Sequence, residues 1–195
     1  MAVSPYSTHY VGQTLRAPDA LYAGRVPSFF HGELAAIIIG TAYAAADEYA
    51  RIVAERPLIA DPSRTRAELH DYQRNLGEAL GAIRTAEAAL QHNAEDWMEV
   101  CRRNVPGEAA FSTAEDNRLA LVFLTAGRMA RDVLQGILFR TAGSRSARDP
   151  ERMQLYFRDA ATYWTHVGPT KAEPPPRRVG CDRLGLPSDG IPLLP

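Results

Sequence analysis

Leu69, Leu76, Ile83, Leu90 and Trp97 recur at strict seven-residue intervals, with Tyr72, Leu80, Ala86, Ala94 and Cys101 roughly between them. A seven-residue apolar repeat keeps one stripe of an α-helix turned toward a neighbour at a small crossing angle, the geometry of helix bundles and coiled coils. A strand would need alternation with a period of two, and no stretch of useful length shows it. The repeat therefore predicts one helix of about ten turns. It ends near Asn104, where Val105, Pro106 and Gly107 stop it.

A helix that long needs neighbours, and the sequence supplies three. From Ser28, the residues Phe30, Leu34, Ile37, Ile38, Thr41, Ala45, Tyr49 and Ile52 recur at three- and four-residue steps up to Pro57, which ends the helix. Asp61-Pro62-Ser63 breaks the chain and offers a start for the heptad helix, because proline is tolerated in a first turn. The third helix opens with Ser112-Thr113-Ala114-Glu115, a capping box in which hydroxyl and carboxylate each satisfy a free backbone N–H. Its apolar face runs through Leu119, Val122, Phe123, Ala126, Met129, Val133 and Ile137 to Ala142, with Gly143 as carboxy-terminal cap. Asp149-Pro150 starts the fourth helix, which carries Met153, Tyr156, Phe157, Ala160, Tyr163 and Trp164 and ends at Gly168-Pro169.

The ends of the chain lack this periodicity. Residues 1–27 read as an irregular lead-in, and half of the chain's 14 prolines follow Gly168, including Pro174-Pro175-Pro176. The expectation is an all-α, up-and-down four-helix bundle over residues 28–168. Residues 169–195 form a Pro-rich extended tail that is not a helix.

Charge narrows the function. The 22 basic and 23 acidic side chains leave a net charge of -1 over 195 residues, so there is no electrostatic footprint for nucleic acid. Lys171 is the sole lysine among the basic residues, a bias that reads as coding preference. Leu34 to Ala46, the longest uncharged stretch within the helical region, is shorter than the ~20 residues a bilayer span needs and reads as a buried helix face. No apolar run precedes Arg16, and Cys101 and Cys181 lie far apart without a CxxC partner. These features point to a cytoplasmic, reduced setting, with one long-range disulfide left open.

Several chemistries find no support. No Glu-x-x-His or HExxH spacing groups His31, His70 or His92, so no metal site is expected. There is no Gly-rich phosphate loop, no G-x-S-x-G elbow and no Cys/His nucleophile pair.

What stands out is Thr141-Ala142-Gly143-Ser144, then Gln154, Arg158-Asp159 and His166. With Leu21-Tyr22-Ala23-Gly24-Arg25 and Phe29-Phe30-His31-Gly32-Glu33-Leu34, these residues resemble the carboxy-terminal helical domain of the acyl-CoA dehydrogenase superfamily. Within it, the likeness is to reduced-flavin-dependent aromatic hydroxylases of the 4-hydroxyphenylacetate 3-monooxygenase type. The resemblance spans roughly residues 20–168. Two departures matter: Leu155 stands where that pattern has arginine, and the family's amino-terminal helical and middle β-domains have no counterpart here.

The resemblance implies a subunit of a flavin-dependent monooxygenase acting on an aromatic or polyketide-like small molecule. Reduced FMN or FAD would bind only where a partner chain supplies the missing domains. It implies His166 as the catalytic residue and Arg158 and Arg64 as cofactor-binding residues, in a homo- or hetro-oligomer without membrane. A neutral imidazole both donates and accepts protons near pH 7, which suits such a role. Read from the residues alone, His166 equally caps its helix end, and Arg158 and Asp159, about 100° apart on a helix, equally anchor neighbouring elements. Tyr163 and Trp164 serve either a planar ligand or an ordinary core, and Arg64 and Arg66 are solvated loop cations on the same footing. The alternative functions are a flavin-free bundle that binds a hydrophobic small molecule, as a non-redox cyclase or accessory protein, and a structural oligomerisation module. The latter expects a second face of the first helix to be covered by another chain.

Overall fold

The computed structural model describes residues 19–105, 110–165 and 174–187. They form helices α1 (Val26–Glu55), α2 (His70–Asn104), α3 (Thr113–Val133), α4 (Arg152–Thr165) and α5 (Pro174–Leu184). Single 3-10 turns lie at Ala20–Ala23, Arg66–Glu68 and Ser144–Ala147, and a π-helical turn, Leu134–Phe139, prolongs α3. Among the described residues the only extended pairing is an isolated bridge between Pro57 and Thr65. The fold is all-α, consistent with a helical bundle.

Two compact units arise from the chain's contacts, with the boundaries inside α1, α2 and α3. The first draws on residues up to Glu33, Leu90–Leu124 and the segment from Val167. Its hub is Trp97, 4% exposed, whose ring lies 5.4 Å from Phe29 and 6.4 Å from Phe111. The Trp97 indole N–H donates to Ser28 Oγ at 2.9 Å, and the Ser28 amide donates to Asp116 Oδ1 at 3.1 Å. A first-turn amide has no acceptor inside its own helix, so the Asp116 carboxylate caps α1 from α3. Arg25 completes the circuit, reaching Asp116 Oδ2 and the Phe111 carbonyl, both at 3.2 Å. Gly24 is obligatory at this crossing: a Cβ there would stand 2.0 Å from a Trp97 ring carbon and 2.9 Å from Cys101 Sγ. Ala23, Gly24 and Arg25 of the Leu-Tyr-Ala-Gly-Arg stretch are thus packing residues, whereas Leu21 and Tyr22 are exposed.

The second unit comprises Leu34–Ala89 and Thr125–His166. Along α1 the residues Ala35, Ile38, Ala42, Ala45, Tyr49 and Ile52 are buried, as are Ala79, Ile83 and Ala86 of α2 and Ala126, Ala130 and Leu134 of the α3 stretch. Each large side chain so buried contributes about 1.5–3 kcal/mol, and the alanines between them let backbones approach closely. Met153, Ala160 and Tyr163 bury the inner face of α4. The contact is tight enough that a Cβ on Gly127 would lie 2.2 Å from Tyr163 Oη. Helix α1 is long and apolar enough to cross a bilayer by length and composition, yet its buried stripe is spent on these protein contacts.

Several expectations need correction. Helix α1 begins at Val26, with Pro27 in its first turn, where a missing N–H costs nothing. Ile37 is 66% exposed: the buried stripe runs through Ala35, Ile38, Ile39 and Ala42, and Ile37 lies off it. Asp61-Pro62-Ser63 does not start α2. The Asp61 carboxylate instead accepts from the Ser63 amide and hydroxyl, a local turn inside a loop pinned by the Pro57–Thr65 bridge, and α2 starts at His70. In the heptad stripe, Asn93 is buried and Ala94 exposed. The polar residue is tolerated because its Nδ2 donates to the Leu119 carbonyl at 2.9 Å. The tail is not wholly extended: Pro174–Leu184 is helical. Its three prolines occupy the first turn, whose amides have no intrahelical partner to lose. Pro175 is buried, and Arg178 Nη1 lies 3.5 Å from Asn117 Oδ1 of α3. Cys101 and Cys181 are both free thiols.

Candidate functional site

The stretch that carries the family likeness begins where α3 ends. Thr141 Oγ1 donates to the Ile137 carbonyl at 2.7 Å and lies 3.0 Å from Tyr49 Oη. Gly143 then turns the chain with φ of 94°, a backbone state that disfavours side chains. Even without the strain, a Cβ at Gly143 would come within 2.9 Å of Arg66 Nη1.

Two arginines from beyond the end of α1 close on this turn. Arg56 Nη1 donates to the Ala142 carbonyl at 3.3 Å and to Ser146 Oγ at 2.9 Å, while its Nη2 reaches Glu151 Oε2 at 3.3 Å. Arg66 Nη1 donates to the same Ala142 carbonyl at 3.0 Å, and its guanidinium sits 5.8 Å from the Tyr72 ring centroid. Arg145 Nε holds the other oxygen of Glu151 at 3.1 Å. Burial draws the Arg56 pKa below its ordinary value, without bringing deprotonation within reach. Cations beside the last carbonyls of a helix also complement its negative end. The result is a crossbraced turn from which α4 departs.

On α4 the buried face is Met153, Ala160 and Tyr163. At three- and four-residue spacing on the other side stand Arg152, Leu155, Arg158, Asp159, Thr162 and Thr165, all exposed. Arg158 and Asp159 therefore do not anchor a neighbouring helix, because both belong to the outward stripe. Leu155, 46% exposed, is an apolar residue on that same stripe. Tyr163 is a core residue, and burial pushes its phenol pKa up. Phe157 stacks on Phe139 of the π-helical turn, with centroids 4.1 Å apart and planes 25° from parallel. His166 and the Trp164 side chain lie outside the described residues.

Arg64 is not part of this cluster. Its Nε donates to Glu68 Oε2 at 3.0 Å, a half-exposed i,i+4 pair. Its Nη1 and Nη2 donors are not used by that pair, which offsets part of its charge. Among the described residues no group of three His, Cys, Asp or Glu side chains could hold a metal ion. Arg56, Ser146 and Glu151 emerge as the organisers of the region. Local spacing cannot reveal them, since Arg56 meets partners 86, 90 and 95 positions away.

Solved structures with this fold share few residues with the chain. The HsaA monooxygenase from M. tuberculosis superposes with a TM-score of 0.69 at 19% identity, over 86% of this chain and 41% of that one. XiaF from Streptomyces sp., solved in complex with FADH2 and glycerol, gives 0.74 at 18% over 93% and 43%. The 3-HSA hydroxylase from Rhodococcus sp. RHA1 gives 0.73 at 20% over 88% and 43%. The chain thus spans well under half the length of each. A comparison with curated proteins finds no match. The family described as acyl-CoA dehydrogenase, C-terminal domain, matches residues 33–170, the greater part of the chain. With the helical fold and the braced Thr-Ala-Gly-Ser turn leading into α4, this match establishes that the chain belongs to the acyl-CoA dehydrogenase C-terminal domain family.

Proposed function

We propose that the chain is the C-terminal-type subunit of a cytoplasmic flavin-dependent monooxygenase, completed by a partner chain that supplies the domains its relatives carry ahead of this one. The substrate class is an aromatic or polyketide-like small molecule. The observation that carries this reading is the outward stripe of α4. Arg158, Asp159 and Thr162 are exposed on a helix whose approach is held by the three contacts of Arg56. Charged residues of a family motif on a braced, uncovered face suit one wall of a site whose other wall comes from elsewhere. The names of the structural relatives, a monooxygenase, a hydroxylase and a protein in complex with FADH2, agree with that chemistry.

Bound reduced flavin supplies the electrons for activating dioxygen. For its part, the chain offers the Arg158 guanidinium as a cation for an anionic group and His166 as a residue able to hold or release a proton. Arg64 offers its Nη donors as a second cation, with Nε held by Glu68.

The test is to isolate the chain with whatever copurifies from its native extract and add reduced flavin and dioxygen. Oxygenated product is followed by mass spectrometry. The reading expects flavin absorbance in the complex and a His166→Ala variant that keeps flavin but loses turnover. Unchanged turnover in that variant removes the role of His166. The exposed Leu155 favours a second reading, a flavin-free bundle that binds a hydrophobic small molecule. A colourless preparation that leaves flavin fluorescence unquenched yet binds an apolar ligand would establish it.

A further inference from the structure

We propose that Arg56 is a positioning residue that sets the bearing of the exposed α4 stripe. One guanidinium holds three groups on three successive parts of the α3–α4 connection. These are the Ala142 carbonyl at the end of α3, the Ser146 hydroxyl in the 3-10 turn and the Glu151 carboxylate one residue before α4. A planar fork with fixed donor directions constrains the mutual orientation of its acceptors, which a point charge does not. The Arg56 and Glu151 side chains are only 17% and 19% exposed, so water substitutes poorly for either. Arg66 and Arg145 each secure one end of the arrangement, on Ala142 and Glu151 respectively, and only Arg56 spans it. The angle at which Leu155, Arg158, Asp159 and Thr162 leave the turn follows from that span. Its consequence for catalysis rests on the monooxygenase reading, whereas its consequence for geometry does not.

The experiment places nitroxide labels at Thr85→Cys on α2 and Thr162→Cys on α4, both exposed and in one unit. Cys181→Ser removes the accessible native thiol, and Cys101 is buried and stays unmodified. Pulsed electron–electron resonance then gives the inter-label distance in the Arg56 background and in Arg56→Lys and Arg56→Met, at a temperature where circular dichroism shows full helicity. A positioning role expects both variants to shift and broaden the distance distribution, with lysine failing to restore it. A distribution that matches the parent in Arg56→Met, or is restored by lysine, overturns the proposal. Should Arg56→Met not fold, Glu151→Ala combined with Ser146→Ala removes two of the three acceptors, and a distance distribution that matches the parent overturns the proposal. In the assembled enzyme, Arg56→Lys lowers kcat by about 100-fold, the cost of a misplacement of roughly 1 Å, with KM little changed. A parent protein without flavin-dependent turnover refutes the monooxygenase reading and leaves the label distances to decide the role of Arg56.

Discussion

Replacing Gly24 by alanine tests the packing account of the first unit most directly. The new Cβ would sit 2.0 and 2.3 Å from two Trp97 ring carbons, where carbon atoms are at ease near 3.5–4.0 Å. The ring must therefore move by well over an ångström. Phe29 and Phe111 flank it, and its N–H is committed to Ser28 Oγ, so it has no free direction. Overpacking of this kind costs about 1–3 kcal/mol, and breaking the buried indole hydrogen bond costs about 1 kcal/mol more. Stiffening of the unfolded chain returns about 0.4–1 kcal/mol. The net expectation is a loss of about 1–4 kcal/mol, which lowers Tm by about 2–14 °C for a chain of this size. Gly40→Ala is the control, because a Cβ there meets nothing within 4 Å and the site is inside α1. It should gain about 0.5–1 kcal/mol. Thermal and urea unfolding are followed by far-UV circular dichroism and tryptophan emission. If both variants shift in the same direction, or Gly24→Ala unfolds with the parent, the contact geometry described for Trp97 is wrong.

Three further outcomes are expected. Ser112→Ala removes a cap that accepts from the Glu115 amide at 3.2 Å, and should cost about 0.5–2 kcal/mol in urea unfolding; no loss would mean that α3 starts without its cap. Hydrogen bonding from Arg51 holds the Glu48 carboxyl below the usual carboxylate range. Its contribution is therefore complete above the unfolded value of about 4.3 and fades as pH falls through the lower folded value. The Tm gap between the parent and Glu48→Gln should thus be constant from pH 7 to 5 and close below about pH 4, and a gap that widens in acid would reverse the assignment. Burial pushes the Cys101 thiol up to about 12, so a thiol reagent at pH 8 should modify Cys181 alone in the native protein and both cysteines in guanidinium, as counted by mass spectrometry.

The four principal helices were legible because each is coded locally. The heptad of α2 and the Ser112–Glu115 box needed no knowledge of partners, and the box closes as read, with the Ser112 amide on Glu115 Oε2 at 3.0 Å. The proline rule failed at α5 through neglect of position. A proline is excluded from a helix interior, yet Pro174, Pro175 and Pro176 fill a first turn.

The candidate site was legible only as a string of residues, since a motif states which side chains matter and not which way they face. Arg158-Asp159 reads equally as an anchor or a ligand contact until the buried face of α4 is known. Once Met153, Ala160 and Tyr163 are placed inside, the 3.6-residue period leaves Leu155, Arg158, Asp159 and Thr162 outside. That inference runs from core to surface, and the core was the part the apolar pattern encoded. The Arg56 clamp has no such route. Its three acceptors are a backbone carbonyl, a hydroxyl and a carboxylate scattered between Ala142 and Glu151, and no spacing joins them to position 56. Long-range polar braces of this kind are set by how helices already fixed by apolar packing bring chain ends together. They become visible only after the fold is known, which is why the residue that aims the stripe was hidden while the stripe itself was not.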